Sequence, residues 1–595
     1  MSPEEDPALT NRQYVNQAHI ELRQRSMQIL TVSALESLAL IFLWQFSFSK
    51  ESLLAALHRI LSIGFILRAI PPLVTLAGII VARKAFVQVQ RPCYTSAWDY
   101  AHALFSLKML CYAGTHILSA FVFFYIYHSL NGTGYMDLVA GPRGKTHLNA
   151  PFVYNTAFAV CLGMWSALDR VFRQRDHLQF PVVQRSTVPL LKARLPTILV
   201  QGFVQPIPCF ILFNLMYTIV PQWSHRIYAS LFGILADTTL YHPWSVHYLF
   251  PPSVLLRTYL AMALTVSAWE VTHTAFEVTI TKAWRVSSCL FDPFSGLAYA
   301  MSIKNIPLIQ RCAFLELDQR SRSDPNWRRA LYEDAGRPGG RTAWGFILTP
   351  CLAALQDQRD RINPPAPPAG PPKPPTDTGI PTDWKAREFL PEGKDVMRSR
   401  RIPVSSVVQR DIQEAVDGGR TYLRDTSKSQ LEKRGLLPWV TRPIPTLYAW
   451  AKAKALEWTE PWVKGMASAI DRVMRKDQER APFVDVERTI WAAQALGTLV
   501  SASFSEDRYG VVQQDIPQVL SSLLDCLADV EAYAQKIQGL DGVSGPQIHP
   551  QCLCLIDVLR RTIYQIVVTF WDYLPQMKMD PKVRDVVRQY AGFST

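Results

Sequence analysis

Three ionisable residues lie in the last long apolar segment of the chain, namely Glu270, His273 and Glu277. Their spacing of three and four residues places them on one face of a helix. Ionisable side chains at membrane depth point first to function, such as proton or ion transport. Pairing with a cation is the alternative, and the predicted partners are Arg68 and Lys108 in other apolar segments. We favour a structural, ion-paired cluster over a transport site.

The pair Glu270-x-x-His273 also has the form of half a di-iron carboxylate site. Such a site needs a second Glu-x-x-His pair and two further glutamates from other helices, and no second copy occurs in the sequence. A membrane acyltransferase would use an intramembrane histidine as its base, for which His116 and His273 are candidates, but no other catalytic motif accompanies them. We therefore expect no enzyme, cofactor or metal, with a polytopic transporter or acyltransferase as the alternative.

Six apolar segments of about 20 residues, the length that crosses a bilayer, must position these side chains. They lie at 27–48, 60–82, 104–128, 151–168, 195–220 and 254–280. Lysine and arginine are concentrated after the second, fourth and sixth segments. Because positive charge stays on the cytosolic side of a membrane protein, both chain termini are expected in the cytosol.

The composition indicates that only part of the chain lies in the membrane. A mean hydropathy of +0.04 is too apolar for an ordinary soluble protein and too polar for a chain made only of spans. The net charge of +13 suits anionic lipid or nucleic acid, but cytosolic flanks of membrane helices are basic in any case. No direct binding to nucleic acid is expected. The 10 cysteines are scattered, without the spacing of a zinc site.

The predicted fold is all-α, with a six-helix transmembrane bundle followed by a cytosolic α-helical domain. The predicted parts are a cytosolic tail (1–26), the six-span domain (27–282), a membrane-proximal helical segment (283–361), a proline-rich linker (362–384), a basic and amphipathic segment (385–480) and a C-terminal helical domain (481–595). Shorter helices are predicted at 306–320, 326–333 and 340–361, and longer ones at 487–504, 516–537 and 552–574. Arg560 and Arg561 would cost about 2.5–3.5 kcal/mol each near a bilayer centre, so the last helix is predicted to lie outside the membrane.

The segment 447–476 carries tryptophans and basic residues at helical spacing. Its marker positions are Trp450, Trp458, Trp462, Lys464, Met466 and Ile470. A basic amphipathic helix with tryptophans can lie in the membrane interface. It can also pack on the neighbouring helical domain, and the sequence leaves both alternatives open.

Two stretches carry a family likeness. The first follows 269–293 and reads GLAYAMSIKNIPLIQRCAFLELDQRSRSDPNWRRALYED at 296–334; the second reads IWAAQALGTLVSASFSEDRYGVVQQDIPQVLSSLLDCL at 490–527. Both resemble the nuclear-division-cycle transmembrane nucleoporins, in a fungal version. In the second stretch, the candidates for partner contact or domain core are Trp491, Leu496, Val500, Phe504, Tyr509 and Val512. The sequence does not separate these two roles.

The resemblance implies a structural protein of the nuclear envelope. Its pore-facing helical domain would anchor the nuclear pore scaffold in the pore membrane, and in fungi the protein would also insert spindle pole bodies. The implied partners are nuclear membrane lipids, linker nucleoporins with membrane-binding helices, other pore-membrane nucleoporins and a WD-repeat nucleoporin. The family brings no cofactor or catalytic residue.

Overall fold

The computed structural model describes residues 7–46, 62–92, 97–140, 147–181, 186–219, 252–334, 342–364, 480–540 and 549–578, with a few residues within 226–231 and 580–586 and Gly336. Two units divide the chain. The first comprises Met1–Pro92, His102–Ile362 and Phe483–Thr595, and the second comprises Cys93–Ala101 and Asn363–Pro482. Almost all of the second unit lies outside the described residues, and nearly all of the described helices belong to the first.

The N-terminal half consists of α1 (Pro7–Phe46), α2 (Ile63–Ala85), α3 (Ala97–Leu104), α4 (Leu107–Leu130), α5 (Ala150–Phe172), α6 (Thr187–Val204), α7 (Ile207–Ile219) and α8 (Pro252–Ile280). Between α4 and α5, the short strands β1 (Val139–Ala140) and β2 (His147–Leu148) pair antiparallel. Among the described residues, six segments are long and apolar enough to cross a membrane: Arg12–Trp44, Ile63–Ala85, Leu107–Leu130, Ala150–Phe172, Thr187–Thr218 and Pro252–Ile280. The predicted six spans are confirmed.

Helix α1 begins at Pro7, about 20 residues before the predicted first span, so the expected tail is helical over most of its length. Tyr14 and Ala18 in this part are fully buried. They belong to a hydrophobic core that includes Leu290 and Leu297 from the chain after α8. A hydropathy average identifies apolar segments only. The first half of α1 is polar, and therefore it was not assigned to a helix from the sequence.

The fifth span is interrupted between α6 and α7. Gln205 keeps helical dihedral angles and its N–H donates to the carbonyl oxygen of Gln201, but Pro206 has no N–H, so the helical hydrogen-bond pattern lacks a donor there. The side-chain amide of Gln205 donates to Asp169 at 2.8 Å, and its oxygen accepts from Arg175 at 3.2 Å. The interruption is thereby joined to a charged network at the end of α5.

The C-terminal half (residues 283–595) consists of α9 (Pro293–Ser302), α10 (Pro307–Ser323), α11 (Pro325–Glu333), α12 (Ala343–Ile362), α13 (Val486–Glu506), α14 (Ile516–Leu540) and α15 (Pro550–Thr569). All six predicted helices are present, whereas α9 was not predicted. Two aspartates begin helices in this half: the side chain of Asp292 accepts the N–H groups of Phe294 and Ser295, and that of Asp324 accepts the N–H of Trp327. Such caps satisfy N–H groups that have no partner within the helix.

The segments 283–361 and 481–595, which the sequence separates, share one hydrophobic core. Helix α13 packs against α10, α12 and α15, with Leu317 of α10 and Leu496 of α13 among its fully buried side chains. The same core reaches Ile80 of α2 and Phe276 of α8, at the end of the bundle. The bundle and the C-terminal half are therefore continuous in their packing.

Candidate functional site

The polar face of α8 is paired with arginines from neighbouring helices. The Glu270 carboxylate lies 3.2 Å from Arg170 and 3.3 Å from Arg175. The Glu277 carboxylate lies 3.4 Å from Arg194 of α6. Both carboxylates of the predicted cluster are thus ion-paired, and they hold α8 against α5, the turn after it, and α6.

The predicted partners Arg68 and Lys108 were wrong. Lys108 lies 2.8 Å from Asp176, and Arg68 is exposed on α2, without a hydrogen bond or ion pair among the described residues. After α5 the chain reverses at Gln174, which has a positive φ of 50°. This reversal returns Arg175 to the bundle, where it meets α8. Sequence spacing contains no information on such a reversal.

His273 faces His116 of α4. Their Nε2 atoms are 3.5 Å apart, and the two rings are stacked with centroids 5.7 Å apart. Nδ1 of His116 lies 2.8 Å from the carbonyl oxygen of Tyr112. Because a carbonyl can only accept, this Nδ1 carries the proton and Nε2 of His116 is the acceptor for Nε2–H of His273. The two histidines nominated as acyltransferase bases are thus directed at each other.

The arrangement provides no metal centre within the part of the chain that the structure describes. No group of three or more His, Cys, Asp or Glu side chains there could hold an ion. Glu270, the carboxylate of the possible di-iron half-site, is occupied by two arginines. The chemistry of this cluster is charge compensation between helices, which fits the structural interpretation of the polar face.

Two more ionisable residues of the bundle were missed as site residues. Glu36 of α1 accepts a hydrogen bond from Thr272 of α8 at 2.9 Å. Arg83 of α2 donates to the backbone carbonyl of His273, and its guanidinium lies 4.8 Å from the centroid of the Phe276 ring. Each is an ionisable residue within a predicted span or at its edge. An ionisable residue in such a position is a sequence signal that could have identified both.

Arg25 of α1 closes the end of α8. Its guanidinium donates to the carbonyl oxygens of Thr279 at 3.2 Å, Ile280 at 3.1 Å and Ala283 at 3.1 Å. It also lies 5.7 Å from the centroid of the Trp284 ring. The last carbonyls of a helix have no intrahelical partner, and a cation is favourable there. Arg25 therefore fixes α1 to the point where the chain leaves the bundle.

A buried carboxylate joins the start of α1 to the C-terminal half. Glu316 of α10 accepts from the Tyr14 hydroxyl at 3.2 Å and from the N–H and hydroxyl of Ser287 at 3.0 and 2.7 Å. Arg320 adds a contact of 3.3 Å. Burial raises the pKa of Glu316, while the Ser287 hydrogen bonds and Arg320 act in the opposite direction. We call Tyr14, Arg25, Ser287 and Glu316 the α1 junction.

Arg311 of α10 joins the two parts of the C-terminal half. The side chain is 1 % exposed; it lies 2.8 Å from Asp485, 2.7 Å from Glu487 and 3.0 Å from the carbonyl oxygen of Val484. Burial raises the pKa of Glu487 to about 7, although Arg311 opposes that shift. These contacts anchor the start of α13 against α10.

The six candidate residues in the stretch at 490–527 differ in their burial. The buried members, which belong to the core, are Trp491, Leu496, Val500 and Val512. Phe504 and Tyr509 are 53 % and 70 % exposed. The ring of Phe504 lies 5.6 Å from that of Phe570 and 6.0 Å from that of Tyr573. An exposed aromatic group therefore marks the C-terminal end of α13.

The predicted membrane-surface helix lies outside the described residues. This applies to all of its marker positions, which are Trp450, Trp458, Trp462, Lys464, Met466 and Ile470. Its placement stays a prediction.

The fold and the charge-compensated bundle define a polytopic, all-α membrane protein whose helical C-terminal half is built onto its first and last spans. Residues 22–588 match the family described as "Nucleoporin protein Ndc1-Nup". Nucleoporin NDC1 of Chaetomium thermophilum is 22 % identical over 84 % of this chain and 83 % of its own length. Nucleoporin NDC1 of Homo sapiens is 21 % identical over 76 % of this chain and 77 % of its own length. A third relative, from Danio rerio, is 33 % identical over 19 % of this chain and 18 % of its own.

The chain belongs to the Ndc1-Nup family of nucleoporins. With its six apolar spans, it is a nucleoporin of the nuclear pore membrane that partners with other pore components. The resemblance found in the sequence is confirmed.

Proposed function

We propose that this chain anchors the nuclear pore scaffold in the pore membrane and recruits nucleoporins through its C-terminal half. The α1 junction carries the proposal. A single helix runs from a membrane span into the core of the C-terminal half, and Arg25 and Glu316 tie it to the chain after α8. An anchor needs such a stiff connection, because the position of the recruiting half must follow that of the bundle.

The proposed orientation has both termini on the cytosolic or pore side. It is supported by the basic residues after the second, fourth and sixth spans. The proposed partners are linker nucleoporins with membrane-binding helices, other pore-membrane nucleoporins and a WD-repeat nucleoporin. Insertion of spindle pole bodies is a further proposed role. The family likeness supports these proposals.

The proposed recruiting surface is the exposed aromatic group at the end of α13, formed by Phe504, Tyr509 and Tyr573. Beside it in sequence, Tyr564, Val568 and Trp571 recur at helical spacing and are each about half exposed. Aromatic side chains supply large contact area at interfaces and are enriched among residues that dominate binding. The occupant we propose is another nuclear pore component, since the family consists of nucleoporins.

Affinity capture of the full-length chain in mild detergent tests this surface. The double variant F504S/Y509S should recover several-fold less of the nucleoporin partners than the unchanged chain. The matched control is Phe291→Ser, which removes an aromatic side chain that is 86 % exposed elsewhere in the C-terminal half. Equal recovery with both variants, at equal protein stability, would contradict the proposed surface. Failure to recover any nucleoporin with the unchanged chain would contradict recruitment itself.

A transport or acyltransferase function gains no support from the geometry. Both glutamates of the α8 face are ion-paired, and the two histidines face each other. We therefore propose a structural, non-catalytic role.

A further inference from the structure

Gln201 of α6 places an amide side chain on the outside of the membrane bundle, near the middle of a span. The next residue, Gly202, lies so close to α8 that an added Cβ would be 2.8 Å from the Cα of Ser267. Ser267 is near the midpoint of α8, so Gln201 lies roughly 20 Å from either end of that helix at 1.5 Å per residue. Because Gln201 is exposed, its amide is directed into the apolar interior of the bilayer.

A second polar side chain lies one turn away from Gln201. Thr197 is also exposed, and neither side chain makes a hydrogen bond or ion pair with any residue that the structure describes. No water is present in the hydrocarbon of a bilayer, and an unpaired amide or hydroxyl there is costly. A partner outside the described bundle would remove this cost.

The surrounding side chains are small or β-branched. Five exposed residues fall within an arc of about 100° around α6, and we call them the α6 outer face: Ala193, Thr197, Val200, Gln201 and Val204. The buried residues Ile198 and Gly202 lie about 135° from the centre of this arc. Ala193, Thr197 and Gln201 recur at every fourth residue, the spacing at which small side chains let two membrane helices approach closely.

The fifth span is at the edge of the bundle. Only 28 % of its most apolar window is buried, as in the first span, whereas the other four spans range from 44 % to 56 %. Helix α6 packs against α8, and the α6 outer face is turned away from that contact. The face is therefore accessible to another transmembrane helix.

We propose that the α6 outer face binds α6 of a second copy of this chain, as a parallel pair related by a two-fold axis. Two copies cross the membrane in the same direction, so each residue near the axis meets its own copy. A glutamine amide has two N–H donors and an acceptor oxygen, so the two Gln201 side chains exchange hydrogen bonds. The two Thr197 hydroxyls pair in the same way, because a hydroxyl both donates and accepts.

Acyl chains and a helix of another membrane protein are the competing occupants. Acyl chains offer no hydrogen-bond partner, and they suit a surface such as the outward side of α4, with exposed Leu107, Leu110 and Leu118. A helix of another protein would need its own donor and acceptor at the depth of Gln201. A second copy supplies both groups at that depth by symmetry, and this favours the self-contact.

Energy transfer between purified copies in vesicles tests the contact directly. The full-length chain is labelled separately with donor and acceptor fluorophores and reconstituted in phosphatidylcholine at decreasing ratios of protein to lipid. Gln201→Leu should raise the dissociation constant of the pair about tenfold, as expected for the loss of two interhelical hydrogen bonds. The variant should keep its unfolding midpoint, because leucine suits a lipid-facing position. Gln201→Asn keeps an amide and should retain association.

The matched control is Leu199→Ala, which changes an exposed residue of α6 outside the outer face and should leave the dissociation constant unchanged. Energy transfer at the level of random collisions in the unchanged chain would overturn the proposal. An equal dissociation constant for Gln201→Leu and the unchanged chain would also overturn it.

Photo-crosslinking in native membranes distinguishes the occupants. Benzoylphenylalanine in place of Val204, which is 57 % exposed, should crosslink to α6 of a differently tagged second copy, as mapped by mass spectrometry. The same group in place of Leu199 should give no such product. Crosslinking from position 204 to a different transmembrane protein alone would refute the self-contact. The inference goes beyond the anchoring function, and its failure would leave that function untouched.

Discussion

The guanidinium of Arg25 lies 3.1 Å from the carbonyl oxygen of Ile280, 255 residues further along the chain. The first of these residues lies in the first helix, and the second ends the last span. Their hydrogen bond closes the bundle at the end where the C-terminal half begins. The position of that half relative to the membrane is therefore set by both ends of the transmembrane domain.

We expect Arg25→Ala to destabilise the protein by about 3 kcal/mol, because several buried carbonyl oxygens lose a charged donor at once. The measurement is the thermal unfolding midpoint in detergent, combined with limited proteolysis of the chain after α8, which should become faster. The control is Arg23→Ala, which removes an exposed arginine from the same turn of α1. Equal midpoints for the two variants would show that the α1 junction contributes no stability.

Gly163 of α5 should not tolerate a larger side chain. A Cβ at this position would lie 2.6 Å from the backbone nitrogen of Ile117 in α4, which is closer than real contacts allow. Gly163→Ala should therefore force the helices apart and cost about 1–3 kcal/mol. Gly114→Ala in α4 is the matched control, because nothing lies within 4 Å of its added Cβ. An unfolding midpoint for Gly163→Ala as high as that of the control would refute the close approach of α4 and α5.

Glu487 should make stability depend on pH in a defined window. Its pKa in the folded chain is raised to about 7, against about 4.3 for an unperturbed glutamate. The folded state binds the proton more tightly, so the contribution to stability is complete below about pH 4 and is lost as the pH rises to about 7. Relative to the unchanged chain, Glu487→Gln should therefore gain unfolding free energy across this window. A difference that stays constant with pH would argue against the raised pKa.

The ion-paired glutamates of α8 offer a test of the structural role against the transporter alternative. Glu270→Ala leaves Arg170 and Arg175 without this carboxylate, at a cost of about 3–5 kcal/mol for a buried pair. Arg173→Ala removes an exposed arginine from its pair with Asp169, and about 0–1 kcal/mol is expected because Arg173 is in solvent. Protein abundance and unfolding in detergent give the comparison.

The paired replacement E270L/R170M extends this test, because exchanging both members of a buried ion pair for apolar residues is often neutral, and Arg175 keeps its contact with Asp169 at 3.3 Å. Cells that depend on this variant should assemble nuclear pores normally. Loss of pore assembly with a stable, correctly placed variant would mean that the charges themselves are functional, as in the transporter alternative.

Much of the secondary structure followed from local pattern. The six spans and the helices α10 to α15 were predicted because hydropathy and helical periodicity depend on residues that are close in the chain. The same dependence on nearby residues explains why the start of α1 was missed. This part of the helix is largely polar, and its buried residues Tyr14 and Ala18 pack in a core with Leu290 and Leu297, which are remote in sequence.

The sequence by itself determined that this is a membrane protein with six spans, a helical C-terminal half and a nucleoporin likeness. Only the tertiary structure decided that Glu270 pairs with Arg170 instead of Lys108, that Phe504 is exposed while Val500 is buried, and that Arg25 closes α8. The physical reason is that the length of an apolar span and the helical periodicity depend only on residues that are close together in the sequence. Ion-pair partners and buried faces are instead selected by which helices pack together, and several pairings satisfy the same composition.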